Sequence, residues 1–165
     1  MKKLYRYFIL GFFTLTLGVL SGCQGLNADK VVSYNDAIVS FYGRYTTQTD
    51  KSYESIFKET EPRNIIIILN KLKKDAASYQ KSSKVIPVPE PAKKLAAALD
   101  HIFEIERKGY DDLIIAFEKA KDDEQQADNL DSVIAQFQKA HDEGVDNFVK
   151  VQKELAEEFD LEIEK

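Results

Sequence analysis

Only one cysteine, Cys23, occurs in 165 residues, so an intramolecular disulfide is impossible. Cations are in the minority as well, with 23 Lys and Arg against 28 Asp and Glu. That balance leaves no basic footprint for nucleic-acid phosphates. The chain has no GxSxG elbow, no GxxxxGK phosphate loop and no HExxH helix, which removes the commonest signatures of acyl transfer, nucleotide binding and zinc hydrolysis. Neither histidine is preceded by glutamate at the third position: Ala98 stands there for His101 and Gln138 for His141. The Glu-x-x-His pattern of di-iron bundles is therefore missing. Repeats, low-complexity tracts and glycine-rich loops are missing too. The sequence thus names no catalytic residue, no metal ligand and no cofactor. Long hydrophobic runs are equally scarce, and the apolar core near the start covers only residues 8–20. As a helix it would reach ~20 Å, short of the ~30 Å hydrocarbon core of a bilayer, although Leu4 to Tyr7 would lengthen it.

What surrounds that stretch gives it meaning. Lys2, Lys3 and Arg6 precede it, and Ser21, Gly22 and Cys23 follow it. A basic start, a short apolar core and a small-residue exit form the layout of a secretory signal. The tetrad Leu20-Ser21-Gly22-Cys23 resembles the lipobox of bacterial lipoproteins. The resemblance implies that Leu20, Ser21 and Gly22 are read by the lipoprotein signal peptidase, that the Cys23 sulfur receives diacylglycerol, and that the new amino group is often acylated with a fatty acid such as palmitate. Two or more acyl chains hold a protein stably where one holds it marginally, each buried methylene contributing ~0.8 kcal/mol. Gln24 follows the cysteine, where enteric lipoproteins retained on the inner membrane carry aspartate. By that resemblance a Gram-negative owner would place the chain on its outer membrane or cell surface. The expected organisation is a signal peptide at 1–22, a lipidated tether at 23–28 and a helical domain at 29–165.

Beyond the tether, helical periodicity persists. Val31, Tyr34, Ile38, Phe41, Tyr42, Tyr45, Tyr53 and Ile56 fall on one side of a helix over 29–58. Gly43 and the polar run 46–50 weaken its middle. Pro62 suits the first turn of a second helix. Residues 65–69, four isoleucines and a leucine, would also describe a buried strand, but the stripe continues at helical spacing through Leu72, Ala76 and Tyr79. Pro87, Pro89 and Pro91 mark the clearest break. Further stripes predict a third helix over 92–121 and a fourth over 126–161. Four amphipathic helices in a chain long enough to bury a core predict an all-α, antiparallel four-helix bundle.

Charge is uneven. Residues 58–94 hold nine basic and four acidic side chains, whereas residues 122–165 hold four basic and fourteen acidic. Such segments are expected to pack side by side, the alternative being a basic patch kept for anionic lipid or polysaccharide.

Two polar residues interrupt otherwise apolar stripes, Glu106 on the third helix and His141 on the fourth. They are nearly equidistant from a turn near Glu124, so antiparallel packing should bring them to one level. A structural polar pair is the expected outcome, and a pH-sensitive or ligand-gripping site is the functional alternative. The tyrosines of the first helix read as core residues with hydroxyls reaching the rim, or else as the lining of a small-molecule pocket. Ile66 and Ile67 lie off their stripe and predict a second packed face rather than an exposed patch. Asp122, Asp123 and Glu124 lack the glycine and spacing of a calcium loop and read as a solvated turn.

Residues 34–39 (YNDAIV), together with Phe148 and residues 153–159 (KELAEEF), resemble stretches of small helical surface lipoproteins of Leptospira and Bacteroidota. That resemblance implies a lipid-anchored helical bundle and brings no activity, ligand or catalytic residue with it. The expected function is a non-enzymatic interaction or structural module held at the cell envelope through its lipid, with no nucleic-acid partner. The alternative is a small-ligand carrier or sensor using Glu106, His141 and nearby tyrosines.

Overall fold

A computed structural model describes residues 16–18, 26–120 and 127–164, with side chains described for 27–120 and 129–161. The lipobox tetrad, the signal core before Thr16 and the acidic turn 122–124 lie outside the described residues. Four long helices account for most of the described chain: α1 (Leu26–Lys58), α2 (Pro62–Ser83), α3 (Lys93–Ala120) and α4 (Ala127–Glu158). They form an all-α antiparallel bundle. Among the described residues no helix is long and apolar enough to cross a membrane.

Each boundary has a local cause. The α1–α2 corner is tied by the Glu59 carboxylate, which accepts hydrogen bonds from the amides of Thr60 (2.8 Å) and Glu61 (3.0 Å) and from Asn64 Nδ2 (3.1 Å). The Glu61 and Thr60 amides hold its pKa below the ordinary carboxylate range. Glu61 is extended, as a residue before proline must be, and Pro62 opens α2 where its missing N–H costs nothing. The proline-rich segment leads into a single 3-10 turn, Glu90–Ala92, and then α3. α4 stops at Glu158, short of the expected 161, because Asp160 turns left-handed at φ 51°. The chain reverses there, the Leu161 amide donates to the Ala156 carbonyl at 2.9 Å, and Leu161 returns to the core. In the uncleaved chain a two-stranded antiparallel pairing of β1 (Thr16–Gly18) with β2 (Glu162–Glu164) follows, a pairing that removal of residues 1–22 would abolish.

α1 runs unbroken through Gly43. The hydroxyls of Thr46 and Thr47 fold back onto the Gly43 carbonyl at 3.0 and 2.8 Å, and Tyr42, Tyr45, Thr49 and Ser52 are buried against the other helices. Tertiary packing overrides the weak local propensity. The isoleucine run of α2 is helical, and its residues divide by angle: Ile65 and Leu69 are buried and Ile68 packs against the core. Ile67, however, is 59% exposed. The second packed face expected for Ile66 and Ile67 is therefore not formed by Ile67, which lies on the side of α2 opposite its neighbours.

The helices follow one another around the bundle. α2 packs on α1 and α3, α3 packs most extensively on α4, and the ring closes where buried Gln152 of α4 donates to buried Asn35 of α1 at 2.6 Å. α2 and α4 consequently occupy opposite flanks of α3. The basic and acidic segments do not pack side by side, contrary to expectation. The lysines of α2 and its C-terminal cap that form ion pairs reach α3 instead, Lys73 to Asp111 and Lys84 to Asp100 at 3.0 Å. Sequential antiparallel order is the reason, since it places second and fourth helices at opposite corners.

Candidate functional site

The bundle interior contains a carboxylate. Glu106, in the middle of α3, is 4% exposed, and its Oε1 lies 3.4 Å from Nε2 of His141 on α4. Antiparallel packing of α3 on α4 places the two residues at one level. The His141 side chain keeps 30% of its surface exposed, so the pair runs from the core toward solvent. Phe137, one turn before His141, stacks edgewise on the imidazole at 6.3 Å and on Tyr110 at 5.5 Å.

On its other side the carboxylate faces phenols. Tyr42, Tyr45 and Tyr110 are at most 1% exposed, and the hydroxyls of Tyr53 and Tyr110 are 2.6 Å apart. These hydroxyls sit inside the bundle and not at its rim, which corrects the expectation for Tyr42 and Tyr45. Burial, and then the negative charge of Glu106, push the pKa of Tyr42 and of Tyr45 well above the ordinary phenol value. Burial and neighbouring tyrosines do the same to Tyr110, with Glu106 adding to the shift. Each phenol is thus held protonated, as an O–H that can point its dipole at a carboxylate. Glu106 Oε2 has no partner at ordinary hydrogen-bonding distance among the described residues. Its environment is a ring of O–H dipoles and one imidazole.

The cluster is walled by rings. Phe103 packs on Tyr45 at 5.1 Å and on Tyr42 at 5.9 Å, and Tyr45 packs on Tyr79 at 5.0 Å. Among the described residues no group of three or more metal-ligating side chains comes together. An imidazole and a carboxylate in contact can exchange a proton.

A concavity does exist elsewhere. A groove of about 920 Å³ runs along the outer seam of α3 and α4, and its lining includes Ile105, Gly109, Ala116, Phe137, Ala140 and Gly144. Glu106, His141 and the tyrosines take no part in it. The groove was not foreseen from the sequence, though a signal was present: Gly109 with Ala116, and Ala140 with Gly144, recur at helical spacing on the facing helices. The Asn35–Gln152 bond was also missed, although Gln152 stood on an otherwise apolar stripe.

No family model, curated protein or solved structure matches this chain. Function is therefore argued from its own residues.

The phenols make a direct prediction. A tyrosine whose folded pKa is raised stabilises the fold fully below its unfolded value of ~10, and that contribution is lost as pH climbs from there toward the folded pKa. For Tyr34, which burial pushes up to about 12, the window is pH 10 to 12. Tyr42, Tyr45 and Tyr110, raised in the same direction by burial, lose their contribution over a window that likewise opens near pH ~10. Phenolate absorbance should show these tyrosines ionising in one cooperative step coincident with loss of helical circular dichroism. Gradual ionisation near pH 10 in a protein that stays folded would contradict the buried placement.

Proposed function

We propose that this protein is a lipid-anchored module of the cell envelope, acting through its surface as an interaction or structural element and not as an enzyme. The signal core ending in Leu20-Ser21-Gly22-Cys23 supports the anchor, and Gln24 supports the outer membrane or cell surface if the owner is Gram-negative. Supporting the module reading over a ligand carrier is one observation: the groove lies outside the Glu106–His141 cluster, whose surroundings are filled by aromatic rings. A carrier would need a cavity that those groups line. A rigid helical core with its open seam outward suits docking.

Metabolic labelling with a palmitate analogue tests the anchor. Wild type is expected to carry the label and sediment with membranes, whereas Cys23→Ala should lose the label and at least about nine-tenths of its membrane association, since the acyl chains supply the binding energy. Label that survives the substitution would overturn the assignment. Native mass spectrometry of protein purified from membranes separates the two functional readings, because a stoichiometric small molecule would favour the carrier.

A further inference from the structure

The exposed side of α2 carries an arrangement that the proposed function does not use. Arg63, Ile67, Lys71, Lys74, Ser78 and Lys81 fall within about a quarter of the helical wheel, along ~27 Å of axis, and all six are exposed. None of the four cations forms an ion pair among the described residues. The stripe contains no acid. The sole acid of α2, Asp75, is turned toward α1, where Gln48 Nε2 donates to it at 3.0 Å. Two large aliphatic side chains stand free near the ends of the row, Ile67 at 59% exposed and Val85, just past the helix, at 79%. Such groups are costly to leave in water, and Ile67 sits among unpaired cations.

We propose that this stripe is a docking surface for an anionic phospholipid bilayer, so that the tethered bundle lies on its α2 side with the acidic α4 flank turned away. Cations spaced along one face match headgroup phosphates, and exposed aliphatics at the ends match the acyl boundary just beneath. A sulfated or phosphorylated polysaccharide would satisfy the cations but leave Ile67 and Val85 in water, which is why the bilayer is the chosen occupant. The orientation also resolves a conflict at the tethered end. α4 finishes at the end where α1 begins, and it brings Glu154, Glu157 and Glu158 there. A bundle standing upright on Cys23 would press those carboxylates against anionic lipid, whereas a bundle lying on α2 holds them off. The anchor reading supplies the nearby bilayer, but the stripe can be tested apart from it.

The test places an environment-sensitive dye at Ser78→Cys in one preparation and at Asp146→Cys, on exposed α4, in another, each of the full chain purified with its native processing. Both are added to vesicles of zwitterionic lipid alone and to vesicles containing phosphatidylglycerol. The expected result is a blue-shifted, bilayer-quenchable signal from position 78 only, on anionic vesicles only, and reversed by salt. Each cation near an anionic surface multiplies binding about fivefold, so Lys71→Glu/Lys74→Glu/Lys81→Glu should shift the equilibrium by at least about a hundredfold and abolish the signal. These residues are exposed and their replacement leaves the core intact, which unchanged circular dichroism verifies. Equal signals from both positions, or an equal response to zwitterionic vesicles, would each overturn the proposal. Failure of the anchor would show separately, as a Cys23 thiol that reacts with maleimide in unlabelled protein.

Discussion

Gly109→Ala is expected to destabilise the bundle by about 2 kcal/mol, in spite of replacing glycine with the best helix former. A Cβ built on Gly109 would lie 2.1 to 2.6 Å from three atoms of the Phe137 ring. Those atoms belong to a ring packed between Tyr110 and His141, so it cannot swing aside without disturbing the Glu106 cluster. Overpacking typically costs about 1 to 3 kcal/mol, and an overlap this deep lies at the top of that range, against ~1 kcal/mol gained in helix propensity. The melting temperature should fall by roughly 5 °C. Gly43→Ala is the matched control. Nothing lies within 4 Å of its added methyl, and it should raise stability by about 0.5 to 1 kcal/mol. Denaturant titration of both variants decides the matter, and two shifts of the same sign would mean that α3 and α4 do not approach as closely as described.

The largest polar effect is expected at His141. Removing it by His141→Ala takes from buried Glu106 the imidazole it meets on α4, while the carboxylate stays in the core. Breaking a wholly buried pair in this manner costs 3 to about 5 kcal/mol. Because 30% of the His141 side chain is exposed, water can replace part of what is lost, and about 2 to 3 kcal/mol is the expected cost. Adding Glu106→Gln to His141→Ala should recover much of it, since a neutral amide among phenols needs no counter-charge. The double-mutant cycle would then be strongly non-additive. Independent, additive losses would show that the two side chains do not sense each other and that the phenols alone hold the carboxylate.

Much of this architecture was legible in order and spacing. Apolar residues at i+3 and i+4 decided four helices, including the isoleucine run that composition alone would have read as a strand. Pro62 and the prolines of 87–91 placed the corners. Glu106 and His141 were visible as polar interruptions of apolar stripes, and equal distance from a turn was enough to put them at one level, because antiparallel helices share a common rise per residue. Periodicity is a property of one helix, and the sequence displays it openly.

Relations between helices are another matter, and here the tertiary structure decided. The depth of a tyrosine depends on what stands opposite: Tyr42 and Tyr45 keep their hydroxyls inside because Glu106 and Phe103 come from α3 to meet them. Ile67 looked like half of a second packed face and is exposed, since no further helix among the described residues covers it. The opposed charges of α2 and α4 suggested neighbours, yet attraction between solvated surface charges is weak beside burial of apolar stripes. Chain order around the core therefore set the corners, and it left one flank basic and the opposite flank acidic.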